Sequence, residues 1–256
     1  ALHAILRPLT RMLWGKAAAV VCNSQGLKEL AWKTMPRLDI GVIPNGIDTE
    51  EFYPAGTVSL EDVSPTTPIR LLAVNRLIYR KGMDVLFESL AELRTEMGDV
   101  FDLKIVGEGN LQRDLEDLSR RLGISDIVSF EGAISHENLP EIYRCADVFV
   151  LPSRAEGMSN ALLEAIASGL PVIVTDTGGS AELVDCNGVV IQPGDPSPLT
   201  NALRRVVSDA DLRRHMGQKS RERAEELSWH SVASQYIALY EDIYKGHGQK
   251  TTVSGA

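Results

Sequence analysis

Apolar and polar positions repeat one cycle between residues 69 and 193: a short apolar run, a polar turn, then an amphipathic stretch. The runs are 69–75 (IRLLAVN), 103–109 (LKIVGEG), 127–132 (IVSFEG), 146–152 (ADVFVLP), 171–176 (PVIVTD) and 188–193 (GVVIQP). Most are rich in Val, Ile and Leu with little alternation, the pattern of strands covered on both faces. The run 127–132 is more polar and is expected to be shorter or nearer an edge. Helical periodicity fills the gaps at 82–97, 111–122, 137–145, 160–168 and 180–184. Strands alternating with helices imply right-handed crossovers and an open parallel sheet. The predicted fold is therefore α/β, a doubly wound Rossmann-like sheet.

The flanks follow other patterns. Residues 17–24 (AAAVVCNS) form a further apolar strand, followed by a helical stretch and then the turn-rich 41–54 (GVIPNGIDTEEFYP). Residues 1–52 thus resemble a helix–strand–helix–strand remnant, too small to fill a core of its own. Residues 53–68 are polar and proline-punctuated, as in a linker. The main domain is expected over 69–227, with helices alone after residue 193: 196–207, 210–227 and 230–244. Asp195 precedes an N1 proline, Pro196, and Ser228 is placed to cap the last helix, 228–244. The tail 245–256 loses its apolar period and is expected to be disordered.

Composition narrows the class. The 256 residues carry 26 Lys+Arg against 35 Asp+Glu, a net charge of −9, so a basic nucleic-acid binder is not the default. Residues 1–38 run against this trend, with six cations (Arg7, Arg11, Lys16, Lys28, Lys33, Arg37) and one acid, Glu29. A solvated face is the simpler reading of that segment; contact with anionic lipid is the sharper one. Three cysteines without CxxC spacing fit buried free thiols in a reducing compartment, which points to the cytoplasm. No apolar run is long enough to span a bilayer. The chain opens on Ala1 rather than Met, as a fragment would.

In open α/β sheets ligands bind outside the carboxyl ends of the strands. The turns there supply Arg76 and Lys81, glycines, and the stretch 153–164 (SRAEGMSNALLE). Glu156 precedes a helix whose free N–H groups face the ligand surface, and Glu164 lies about one turn inside it. Two cations, carboxylates and glycine-lined backbone suit a phosphorylated, hydroxyl-rich ligand.

Six motifs in one order carry a resemblance: NRLxxxKG (75–82), VGEG (106–109), FxG (130–132), PSxxEGx6E (152–164), GxPVI (169–173) and GGxxE (178–182). Together they resemble the nucleotide-sugar half of retaining GT-B glycosyltransferases, the GT4-type group, over roughly residues 17–244. One departure is Asn75, where that group usually has glycine. The resemblance implies that Arg76 and Lys81 hold the diphosphate and stabilise the departing nucleoside diphosphate, and that Glu164 accepts the ribose hydroxyls. It implies that Glu156 holds donor-sugar hydroxyls while backbone near Gly157, Met158, Ser159 and Asn160 meets sugar and phosphate. Gly132, Ala133 and Ile134 would wall the base. It also implies that 1–52 is the end of the N-terminal acceptor domain and that the last helix returns to pack on it.

Competing signals carry less. Asp209-Ala-Asp211 resembles a metal-binding DxD but starts a C-terminal helix, where capping explains it. Gly107-x-Gly109 lacks the third glycine of a dinucleotide fingerprint. The histidines are scattered, with His136 at a helix start, and Trp229, Tyr236, Tyr240 and Tyr244 form a helix-spaced packing stripe. The resulting expectation is the donor-binding portion of a metal-independent hexosyltransferase using a UDP- or GDP-sugar and a glycan or lipid-linked acceptor. It would need its missing domain in cis or trans, self-associate through exposed apolar faces, and touch a membrane only peripherally. A non-catalytic nucleotide-sugar-binding subunit and a GT-B-fold epimerase are the alternatives.

Overall fold

A computed structural model describes residues 2–56 and 68–251; for 2–5 and 246–251 it describes the backbone alone. Most of the expected linker, 57–67, and the end of the expected tail, 252–256, lie outside the described residues. The element order begins with α1 (Leu2–Lys16), β1 (Val21–Cys22), α2 (Gln25–Trp32) and β2 (Gly41–Val42). It continues with β3 (Ile69–Val74), α3 (Met83–Met97), β4 (Phe101–Val106), α4 (Gln112–Arg121), β5 (Val128–Phe130), α5 (Leu139–Arg144) and β6 (Val148–Leu151). The last elements are α6 (Asn160–Ala167), β7 (Val172–Thr175), β8 (Gly188–Ile191), α7 (Pro196–Ser208), α8 (Ala210–Glu226) and α9 (Trp229–Thr251).

β3 to β8 make one six-stranded parallel sheet in the order β5-β4-β3-β6-β7-β8. Each corresponds to one of the six apolar runs, and the more polar run became the edge strand β5. The alternation missing from the sequence has a simple cause. Leu71, Ala73, Val148, Val150 and Ile173 pack into one core, while Leu72, Phe149, Leu151, Val172 and Val174 pack into a second. Successive side chains point to opposite faces, and both faces are covered, so both must be apolar. The chain order reverses between β3 and β6, and at such a switch point the loops on either side diverge and leave a crevice.

β1 and β2 form a separate two-stranded parallel sheet. The segment after β2 is tied into the main domain: Ile47 and Phe52 belong to the second core, and Ile47 bridges to Ser228 beside the start of α9. A second tie runs through Glu182, which accepts the amides of Gln25 and Gly26 at the start of α2, both at 2.8 Å.

Several expectations need correction. The stretch 180–184 forms a 3-10 turn, Gly178–Leu183, and α5 is preceded by another, His136–Asn138. α9 continues to Thr251, past residue 245, so its backbone holds a helix where the apolar period has ended. The three cysteines are free, yet Cys145 and Cys186 are exposed, because both sit in the connections just before strands and outside their buried runs. Trp229, Tyr240 and Tyr244 also lie exposed, since α9 buries Val232 and leaves its aromatic face uncovered. The caps formed as read: Asp195 accepts the amide of Ser197, and Asp209 that of Leu212 at 2.8 Å.

Candidate functional site

The loops leaving β3, β4 and β6 meet at the switch point in a cleft of about 770 Å³. β3 ends at Val74, and Asn75 and Arg76 follow directly. Arg76 is exposed at the cleft, and its guanidinium forms no hydrogen bond or ion pair among the described residues. A short 3-10 turn, Tyr79–Lys81, then carries Lys81 inward. Contrary to a surface position at the strand end, Lys81 is buried, and its Nζ pairs with Oε2 of Glu156 from the loop after β6. Ser153 donates its hydroxyl to the same oxygen at 3.2 Å.

Two close approaches hold this arrangement. Gly82 has φ of 66°, and a Cβ there would stand 2.1 Å from the carbonyl oxygen of Pro152. Gly107 has φ of 127°, and a Cβ there would meet the Asn75 oxygen at 2.0 Å. Only glycine accepts such a conformation so near another backbone. Arg154 fastens the same loops: it donates to both Asp84 oxygens at 2.7 Å and to the Tyr79 carbonyl at 3.1 Å, and stacks 4.3 Å from the Tyr79 ring. Asn75, standing where glycine was expected, donates weakly to Met83 Sδ at 3.4 Å, and its Oδ1 is buried without a partner.

The opposite wall is α6. Glu164, nearly fully buried, accepts from the Tyr143 hydroxyl at 2.7 Å. Burial pushes its carboxyl above the usual range, opposed by that hydrogen bond and by nearby His136. Burial and the Glu164 charge push the Tyr143 hydroxyl far up, so it remains a donor. Ser159 caps α6 without a side-chain hydrogen bond, leaving first-turn amides toward the cleft.

Of the residues singled out from sequence, Arg76, Lys81, Ala133, Ile134, Glu156, Met158, Ser159, Asn160 and Glu164 line this one cleft. Gly132 and Gly157 are not among its lining residues. The Gly132 oxygen accepts the Gly107 amide at 2.7 Å, and the Gly157 oxygen accepts from Ser180 at 2.9 Å. Sequence reasoning missed Asn45, which donates to Asn160 Oδ1 at 3.2 Å, accepts from Asn23 at 3.2 Å and lines the cleft from the crossover segment. Its P-N-G-I-D setting marked a turn but nothing of its partner. Glu108 also lines the cleft, beside the Ala133 amide.

The doubly wound six-stranded parallel sheet matches the fold of GT-B glycosyltransferase structures. The family described as "Glycosyl transferases group 1" matches residues 61–223, and the chain belongs to that family. It is similar to an MMP alpha-(1->4)-mannosyltransferase of Mycolicibacterium hassiacum, 35% identical over 78% of this chain and 47% of that protein. A GDP-mannose-dependent alpha-(1-6)-phosphatidylinositol monomannoside mannosyltransferase of Mycobacterium tuberculosis is 32% identical over 73% of this chain and 51% of its own length. Among solved structures, sucrose-phosphate synthase of Thermosynechococcus elongatus superposes with a TM-score of 0.80 at 27% identity, covering 94% of this chain and 62% of that one. The chain thus spans about half the length of these curated relatives. Among the described residues, no helix is long and apolar enough to cross a membrane.

Proposed function

We propose that this chain is the donor-binding portion of a retaining, metal-independent glycosyltransferase, moving a hexose from a nucleoside-diphosphate sugar to a glycan or lipid-linked acceptor. The observation that carries the reading is the convergence, in one cleft, of an unpaired Arg76, the Lys81–Glu156 pair, the start of α6 and a buried Glu164. Arg76 meets the diphosphate, with Lys81 beside it, and both stabilise the charge that builds on the leaving oxygen. Fixed cations at that point do the work a divalent ion does elsewhere. Glu164, oriented by Tyr143, accepts the ribose hydroxyls. Glu156 turns its free lone pairs to the sugar while the salt bridge fixes its position. Ala133 and Ile134 flank the base. The names of the two mannosyltransferase relatives support a hexose and a nucleotide-sugar donor. The acceptor side is assigned to a further domain, in cis or trans, because the relatives are about twice as long.

The test separates the two carboxylates. Glu164→Ala should weaken free nucleotide and nucleotide sugar alike, whereas Glu156→Gln, which keeps a carbonyl oxygen to accept from Lys81, should spare the nucleotide and abolish the extra affinity that the sugar contributes. Equal loss of free nucleotide in both variants, measured by calorimetry, would show the roles to be misassigned.

A further inference from the structure

His136 stands between two carboxylates that reach it from different parts of the chain. Its Nε2 lies 3.8 Å from Oε1 of Glu164, and its Nδ1 lies 3.4 Å from Oε1 of Glu51. Phe52 meets the imidazole edge-on, with ring centres 5.6 Å apart, and meets Tyr143 at 5.7 Å. The turn bearing Glu51 is fixed at both ends. Asp48 accepts the amides of Glu50 and Glu51 at 2.9 and 3.0 Å, and Arg221 donates to the carbonyls of Thr49 and Phe52, each at 3.1 Å. The groups facing His136 are therefore Glu51 from this turn and Glu164 from α6, with the Tyr143 hydroxyl of α5 behind Glu164. Among the described residues no other cationic side chain lies within salt-bridge distance of either carboxylate.

We propose that His136 is a positioning residue of the nucleotide site: as an imidazolium between Glu51 and Glu164 it keeps the Glu164 carboxylate ionised and held at the cleft, so that donor binding tightens when His136 gains its proton. The inference rests on the donor-binding reading above. Two physical reasons give the sign. An ionised carboxylate is acceptor-only and can take both ribose hydroxyls, whereas a protonated one loses acceptor capacity. With a neutral imidazole the site adds two carboxylate charges to the field met by an anionic ligand; with imidazolium the cluster keeps one net negative charge.

The experiment is calorimetric titration of UDP- and GDP-sugars at pH 6, 7 and 8 into the wild-type chain and into His136→Gln. Nucleotide sugars are used because their diphosphate diester has no proton to exchange in that range. Wild-type affinity is expected to rise about three- to tenfold from pH 8 to pH 6, and the profile of His136→Gln to be flat. A variant whose affinity falls equally at every pH, or which keeps the wild-type profile, overturns the positioning role. A second measurement does not depend on ligand: NMR titration of the Glu164 carboxyl in the wild type and in His136→Gln. Its midpoint should rise in the variant, and an unmoved midpoint overturns the inference. Absence of nucleotide-sugar binding at any pH, with the midpoint shift present, would instead remove the donor-binding reading and leave the carboxylate–imidazole coupling standing.

Discussion

Glu164 is the residue at which function and stability pull apart. Its carboxyl is raised by burial, so the folded chain binds a proton there more tightly than the unfolded chain does. Between the ordinary carboxyl value and this raised one, stability falls as pH rises, and above both the ionised group opposes folding. Glu164→Gln removes that charge while keeping an acceptor for Tyr143. It should melt higher than the wild type at pH 7 and lose at least about tenfold in nucleotide affinity, since hydrogen bonds to a charged group contribute about 1.5–3 kcal/mol. Parallel thermal melts and calorimetry check both halves; a variant that binds normally would detach Glu164 from the ligand. The two cations differ in the same way. Arg76→Ala should weaken nucleotide with the melting point unchanged, because its guanidinium has no partner to strand. Lys81→Ala leaves the part-buried Glu156 without its counter-charge and should cost stability as well as affinity. The sequence showed that both cations lie at strand ends, but not that one of them is paired with a carboxylate 75 positions away. His136 and Tyr143 were illegible for a similar reason: each acts through Glu164, and nothing in their own neighbourhoods announces it.

At the scale of elements, the sheet was legible because parallel strands buried on both faces leave continuous apolar runs. The edge position of β5 was legible because one of its faces can afford Ser129 and Glu131. Less could be seen where pairing is short. β1 and β2 have two residues each and are held by Ile40, Ile43 and the Glu182 contact more than by their own pattern. The 3-10 turn Gly178–Leu183 was legible only as a helical stretch, because so few residues do not separate the two periods. The close packing of the β3 and β6 loops makes Gly82 a sensitive position. Gly82→Ala combines a left-handed φ with a Cβ 2.1 Å from backbone, so it should destabilise by at least about 2 kcal/mol and displace Lys81. Denaturant melts with nucleotide binding at low denaturant measure the two effects; a fully stable variant would mean the loops can separate without penalty. Glu182→Gln should weaken the hold on α2, whose first amides it accepts as a charged cap. Faster hydrogen exchange at Gln25 and Gly26, with the main sheet unchanged, is the expected sign.

For the whole molecule, apolar surface lies on elements away from the cleft. Leu6, Leu9, Met12 and Leu13 of α1 and Trp229, Ile237, Tyr240 and Tyr244 of α9 are all exposed. Surfaces of this kind mark interfaces. Light scattering should therefore show self-association that weakens when Leu9 and Leu13 are changed to Ser, and a monodisperse monomer would count against it. Sugar transfer needs donor and acceptor held together, and that proximity supplies much of the rate. The chain by itself is accordingly expected to bind donor and transfer little. On the proposed function, this cleft holds a nucleoside-diphosphate sugar through fixed protein cations without a divalent metal. Calorimetry of UDP- and GDP-sugars into the chain, with and without EDTA and alongside Arg76→Ala, tests it directly. One-to-one binding unaffected by chelator and weakened at least about tenfold in the variant is the expected result. Binding that vanishes with EDTA, or that is untouched by Arg76→Ala, would contradict it.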